Sequence, residues 1–200
     1  PAPYAASSAY YFPTMGRMYS VEVLKGPSAI TQGPNTIGGA VNFVSTPIPT
    51  SSEGNILLDI GEDSTTRIHA NYGNVTDSGF GFMVETHQWK SDGFQTIDNS
   101  NTDTGLDVED YTVKLSYAPA DSRHALELKY QYAQQDSNQT YLGLTDADFK
   151  ANPYRRYGVS ALDNITTEHN QLILRHEFTI SDAATLTTTA YNNEHKRSWY

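Results

Sequence analysis

The run Tyr154-Arg155-Arg156-Tyr157 carries the densest recognition chemistry in the chain. Two permanent cations stand between two phenols. A guanidinium presents a planar fork of N–H donors that matches a carboxylate, and a neighbouring tyrosine stacks or hydrogen-bonds. These four residues are therefore candidate contacts to an anionic ligand. The alternative is that both arginines pair with acids of their own segment, such as Asp146, Asp148 and Asp163. Just upstream, Thr145 with Asp148 three residues on reads as a capping-box start for a short helix. Asn152-Pro153 ends it. A loop with its own helix holds a surface shape, which suits recognition. A second aromatic cluster, Tyr4, Tyr10, Tyr11 and Phe12, lies in an irregular stretch over residues 1–14 that contains three prolines.

Other chemistries fall away on inspection. Histidines 69, 87, 124, 169, 176 and 195 form no His-x-x-x-His pair or similar ligand spacing, so no metal site is expected. Cysteine is absent, which removes disulfides, thiol nucleophiles and cysteine metal sites. Residues 33–39 are glycine-rich but lack the Lys-Ser/Thr ending of a phosphate loop. Ser28 stands in Gly-Pro-Ser-Ala-Ile, without the second glycine of a nucleophile elbow. Three Asn-x-Thr triplets, at Asn74, Asn138 and Asn164, are the kind that arise by chance in an Asn/Thr-rich chain. The residues form no enzyme constellation and call for no cofactor. A formal net charge of −10 argues against a general nucleic-acid partner.

Two kinds of element must position these residues. From Val21 to Val44, two short apolar strands flank a Gly/Pro-rich middle. Val21 and Val23 alternate with Glu22, and Gly26-Pro27 breaks the strand. Ser28-Ala29-Ile30 has room for one helical turn, and Gly33-Pro34-Asn35 is a second turn. Gly38-Gly39 leads into Ala40–Val44, where two glycines suggest a backbone packed closely against another surface. Arg17, just before the first strand, suits either an interdomain ion pair or the surface. Pro47–Ser52 reads as a linker, dividing the chain into residues 1–47 and 48–200.

After the linker the pattern changes to alternation. Apolar residues share a face at Ile56, Leu58 and Ile60; at Ile68, Ala70 and Tyr72; and at Phe80, Phe82 and Val84. The same holds for Tyr111, Val113, Leu115 and Tyr117, for Leu126, Leu128, Tyr130 and Tyr132, and for Leu172, Leu174 and Phe178. A further strand runs from Leu186 toward Trp199. Charged residues fall on the opposite face, as in a sheet that is apolar outside around a wet lumen. Connections near Asn74, Ala118 and Ser181 are tight, whereas those after Trp89 and Gln135 are long. Hairpin order puts the tight ones at one end, as in outer-membrane barrels with short periplasmic turns and long outer loops. No run of about 18 apolar residues exists, so no membrane helix is expected, but barrel strands do not need one. The 14 tyrosines fit the aromatic boundary of such a barrel. The expected fold is all-β: a transmembrane antiparallel β-barrel, partial at about seven strands. Opening on Pro1 and ending at Trp199-Tyr200 within a strand pattern, the chain is expected to be an internal piece of a longer protein.

Val23-Leu24-Lys25-Gly26-Pro27-Ser28-Ala29, then Gly33-Pro34, then Ile37-Gly38-Gly39-Ala40-Val41-Asn42, resembles the end of the plug domain of TonB-dependent outer-membrane receptors. Pro1-Ala2-Pro3-Tyr4 followed by Phe12-Pro13 is similar to the upper plug loop of ferric-citrate-type receptors, although Ala5-Ala6-Ser7-Ser8 replaces larger amide side chains there. Leu144–Phe149 with Pro153–Arg156 is similar to the third external loop of the same receptors. The resemblance implies that residues 1–47 are the C-terminal part of a plug and residues 48–200 the start of a barrel of twenty-two strands. It implies a ligand site that includes Tyr4, Tyr10 and Tyr11 as well as Tyr154, Arg155, Arg156 and Tyr157. It also implies energy-coupled uptake of a ferric chelate, a siderophore or ferric-citrate-like, across the bacterial outer membrane. Iron would then travel in the ligand rather than sit on the protein. The partners implied are outer-membrane lipid and the inner-membrane TonB complex, reached through an N-terminal segment that this chain does not include. Three alternatives are a receptor of the same family for a non-iron ligand, a passive porin or usher-type barrel, and a soluble secreted β-sandwich binding module.

Overall fold

A computed structural model describes residues 13–26 and 38–200, which fall into two compact units, Pro1–Pro47 and Ile48–Tyr200. In the first unit a 3-10 turn, Met15–Arg17, leads into β1 (Met18–Lys25), which pairs antiparallel with β2 (Gly39–Ser45). Glu22 and Asn42 are cross-strand partners and their side chains hydrogen-bond at 2.9 Å. A Cβ on Gly39 would lie 2.6 Å from the Leu24 carbonyl oxygen, so the paired strand itself is the surface that demands a glycine here. Arg17 is buried rather than on the surface, at 1% exposure. The turns expected at Ser28–Ile30 and Gly33–Asn35 lie outside the described residues.

The second unit is built on a seven-stranded antiparallel sheet. In chain order its strands are β3 (Glu53–Ile60), β4 (Thr66–Val75), β5 (Phe80–Ser91), β7 (Leu106–Tyr117), β8 (His124–Ser137), β10 (Ile165–Ser181) and β11 (Ala184–Trp199). Each pairs with the next, so β3 and β11 are the edges. The β3–β4 hairpin closes through Asp63 and Ser64, both at φ 52°, with Thr65 N–H donating to the Glu62 carbonyl at 3.0 Å. Two left-handed central residues make a primed turn, whose twist matches that of the flanking strands. Thr76–Gly79, Ala118–Arg123 and Asp182–Ala183 connect strands at one end. At the other end, beyond the β3–β4 turn, stand two long loops, 92–105 and 138–164.

The register aligns side chains into rows of one character. Val84, Val113, Tyr130 and Leu172 lie side by side, as do Phe82, Leu115, Leu128 and Leu174. On the other face, Glu85, Thr112, Gln131 and Gln171 form one row, and His87, Asp110, Ala133 and His169 the next. Burial is the reverse of a water-soluble sheet. Val84, Val113, Tyr130 and Leu172 are 39–46% exposed, whereas Glu85, Thr112 and Gln131 are 1–5% exposed. Among the described residues, only Met83, Ile97 and Ile165 are buried hydrophobics. Contiguous apolar surface of this kind is an unusual liability in water and the natural state in hydrocarbon, where backbone polar groups must be satisfied within the sheet. Leu126 and Tyr130, 43% and 45% exposed, are not covered by a second layer of the described residues. The soluble sandwich is therefore not the fold.

The strands extend further than the apolar pattern foretells. The apolar alternation starts at Tyr111, stops at Tyr132 and resumes at Leu172, yet β7 begins at Leu106, β8 runs on to Ser137, and β10 begins at Ile165. Beyond the apolar belt both faces are polar, so alternation vanishes while backbone pairing continues. A strand needs about nine to eleven residues to cross a bilayer with tilt. β8, at 14 residues, and β10, at 17, rise past that limit and carry the long loops clear of it.

Candidate ligand site in the long loops

The loop after β8 folds as its local sequence dictates. Helix α1 (Asp146–Ala151) is capped by Thr145, whose side chain accepts from the Asp148 N–H at 3.2 Å and donates to its carboxylate at 2.8 Å. Asn152 closes the helix ahead of Pro153. The chain then makes β9 (Arg155–Arg156), which pairs in parallel with β6 (Thr96–Ile97) of the preceding long loop. This two-residue pairing ties the loops together. Ile97, 2% exposed, is the apolar peg beneath it.

Arg155 is the electrostatic joint. Its Nε and one terminal nitrogen reach Asp98 at 2.9–3.0 Å, and the other terminal nitrogen reaches Asp148 at 2.8 Å. The Asp98 hydrogen bond is the main reason its pKa lies above the usual guanidinium value. Asp148 in turn accepts from the Tyr157 hydroxyl at 2.5 Å, and that hydroxyl accepts from the Thr145 N–H at 3.1 Å. The Tyr157 and Thr145 hydroxyls hold the Asp148 carboxyl below its ordinary pKa, with help from Arg155. The Arg155 guanidinium also stands 5.2 Å from the Tyr157 ring centroid.

Arg156 points elsewhere. It is 4% exposed and donates to the backbone carbonyls of Asn138 (2.5 Å) and Ser160 (3.0 Å). Burial lowers its pKa, while the charge of Asp163 acts in the opposite direction. Tyr154 is 59% exposed and meets Phe94 edge-on at 6.1 Å. Beside them opens a cavity of about 510 Å³ walled by Phe94, Leu142, Leu144, Phe149, Pro153 and Arg155. The loops thus offer an aromatic and apolar surface stiffened from behind by salt bridges. Arg155 and Tyr157 come together through Asp148, Tyr154 stands free on the surface, and Arg156 is sunk beneath. Tyr4, Tyr10 and Tyr11 lie outside the described residues. The partners that the sequence did not single out are Phe94 and Asp98. Phe94 had one signal, a lone aromatic in a run otherwise rich in Asp, Asn, Thr and Gly, and Asp98 had none.

No protein-family model matches the chain. Solved structures do match. Over 92% of its length the chain superposes on 27% of the siderophore receptor PiuA from Acinetobacter baumannii, with TM-score 0.78 and 18% identity. The ferric citrate transporter FecA in its unliganded form gives 0.73 and 22%, over 92% of this chain and 28% of that one. The open form of the ferric-catecholate import receptor Fiu from E. coli K12 gives 0.72 and 17%, over 92% and 29%. The chain therefore spans less than a third of each neighbour. At these identities the likeness is one of fold: a partial transmembrane antiparallel β-barrel, shared with receptors and transporters rather than with enzymes.

Proposed function

We propose that the chain is part of a TonB-dependent outer-membrane receptor for energy-coupled uptake of a ferric chelate, a siderophore or a ferric-citrate-like complex. One observation carries the reading. The sheet is apolar outward and polar inward, in a fold shared with siderophore and ferric-citrate receptors. The plug-like motif between Val23 and Asn42 supplies the rest of the logic. A plugged lumen does not leak, so transport needs work, and an inner-membrane TonB complex acting through an N-terminal segment would deliver it. Iron enters only inside the ligand. Tyr154, exposed on this loop, is the side chain we assign to direct ligand contact. Arg155, Arg156 and Tyr157 hold the loop that presents it; Tyr4, Tyr10 and Tyr11, the other expected ligand contacts, lie outside the described residues.

The test is growth of a deletion strain on a panel of ferric chelates as sole iron source. Loss of growth on one chelate, restored by the intact gene, is the expected result; growth indistinguishable from the parent on every chelate overturns the iron assignment. A second reading, a receptor of the same family for a non-iron ligand, draws on the Arg155 fork. That fork is already committed to Asp98 and Asp148, which weakens this loop's claim on a carboxylate-rich chelate. Supplementing the panel with haem, cobalamin and sugars separates the two.

A further inference from the structure

The outer face of β8 and β10 carries side chains that ligand uptake does not use. Both strands are interior to the sheet, flanked by β7 and β11, so their outward faces are complete. At the tight-turn end, Arg123, Phe178, His124 and His176 form one stack. The Phe178 and His124 rings lie 4.6 Å apart at 17°, and the His124 and His176 rings 5.1 Å apart at 9°. The Arg123 guanidinium carbon sits 5.2 Å from the Phe178 ring centroid. It is fixed there because Nε donates to the Thr179 carbonyl at 2.6 Å and a terminal nitrogen donates to that of Ile180. His124 Nδ1 and His176 Nε2 share a hydrogen bond of 2.9 Å. In a neutral pair one ring donates and the other accepts. Whichever tautomers are present, the two remaining ring nitrogens then comprise one N–H donor and one acceptor.

Position gives this stack its meaning. His176 is opposite Leu126, and His124 opposite Phe178, immediately beyond the row that contains Leu128 and Leu174. The stack therefore lies where the apolar belt ends. Short turns of an outer-membrane barrel face the periplasm, so this is headgroup depth in the phospholipid leaflet. The adjoining turns carry Asp121 and Asp182, which rules out a broad basic field. What remains is a point site: a fixed cation with unused N–H groups on its terminal nitrogens, an imidazole donor, and an aromatic wall for the glycerol and upper acyl carbons. Guanidinium geometry suits phosphate oxygens.

We propose that Arg123, His124 and His176 bind the phosphodiester head group of an anionic phospholipid of the periplasmic leaflet. The inference rests on the barrel fold and not on which ligand is transported. The experiment is native mass spectrometry of the full-length protein in detergent, titrated with phosphatidylglycerol, phosphatidylcholine or inorganic phosphate. Phosphatidylglycerol adducts should be retained more strongly than phosphatidylcholine adducts, and inorganic phosphate at equal concentration should not displace them. Arg123→Ala should weaken retention by about tenfold, the loss expected for a charge-assisted hydrogen bond. His176→Phe, which preserves the ring stack, should weaken it less. Folding of each variant is checked by heat-modifiable migration, and if Arg123→Ala does not fold, His176→Phe decides. Equal retention of both lipids, displacement by free phosphate, or folded variants that hold phosphatidylglycerol as the parent does would each overturn the site.

Discussion

Gly79 and Asp148 show how single residues set local geometry in this protein. Gly79 closes the β4–β5 turn at φ +82°, and a Cβ there would stand 2.5 Å from the Ala118 carbonyl oxygen. Left-handed backbone and a backbone clash act together. Gly79→Ala should therefore cost about 1–3 kcal/mol, read from denaturant unfolding of the full-length protein in lipid vesicles. Asp148 gathers the Thr145 and Tyr157 hydroxyls and the Arg155 guanidinium, and its pKa is lowered as a result. A lowered carboxylate pKa contributes stability that is present above the unfolded value and lost as pH falls through the folded one. The end of the long loop around α1 should thus stay ordered at neutral pH and loosen only below the ordinary aspartate range, about 3.9. Asp148→Asn should already be loosened at neutral pH and show no acid step. The Phe149 and Asn152 amide resonances, both bonded within α1, follow the titration. An identical acid transition in parent and variant would remove Asp148 from this role.

At the scale of elements, the long loops and the sheet obey different rules. The loops are joined by β6, β9 and the Asp98–Arg155–Asp148 bridge rather than by a core. Arg155→Ala should raise chymotryptic cleavage several-fold at Phe94 as well as at Tyr154, since one side chain holds both loops. Arg155→Lys, a point charge without the fork, should restore only part of the protection. Cleavage that rises in one loop alone would argue against the joint. The α1 caps were legible because Thr145, Asp148 and Asn152-Pro153 act on neighbours a few residues away. Asp98 was not, because it lies 57 residues from Arg155 and nothing local marks it as a partner. The sheet, in contrast, answers to its solvent. Val113 is in the middle of the outward apolar rows, and Val113→Arg should destabilise the membrane-embedded protein by about 2–4 kcal/mol. Val113→Leu should be nearly silent in the same unfolding assay.

At the scale of the whole molecule, lipid explains both why the fold was readable and why the sheet needs more strands. Where strands touch hydrocarbon, alternation is strict, so Phe82, Leu115, Leu128 and Leu174 announced their shared face. Above the belt, water meets both faces, and the polar ends of β7, β8 and β10 left no such signature. The same solvent forbids open edges. β3 and β11 each present a row of backbone N–H and C=O groups with no partner strand among the described residues, and such groups cost several kcal/mol each in hydrocarbon. In a closed barrel every one of them is paired. The 200-residue chain expressed alone should consequently fail to give a heat-modifiable monomer in detergent, and should form β-rich oligomers through its two edges. The full-length protein should give the compact, heat-modifiable form under the same conditions. A stable, monomeric and heat-modifiable species from the short chain would mean that its edges are satisfied without further strands, and the partial-barrel reading would fall with that result.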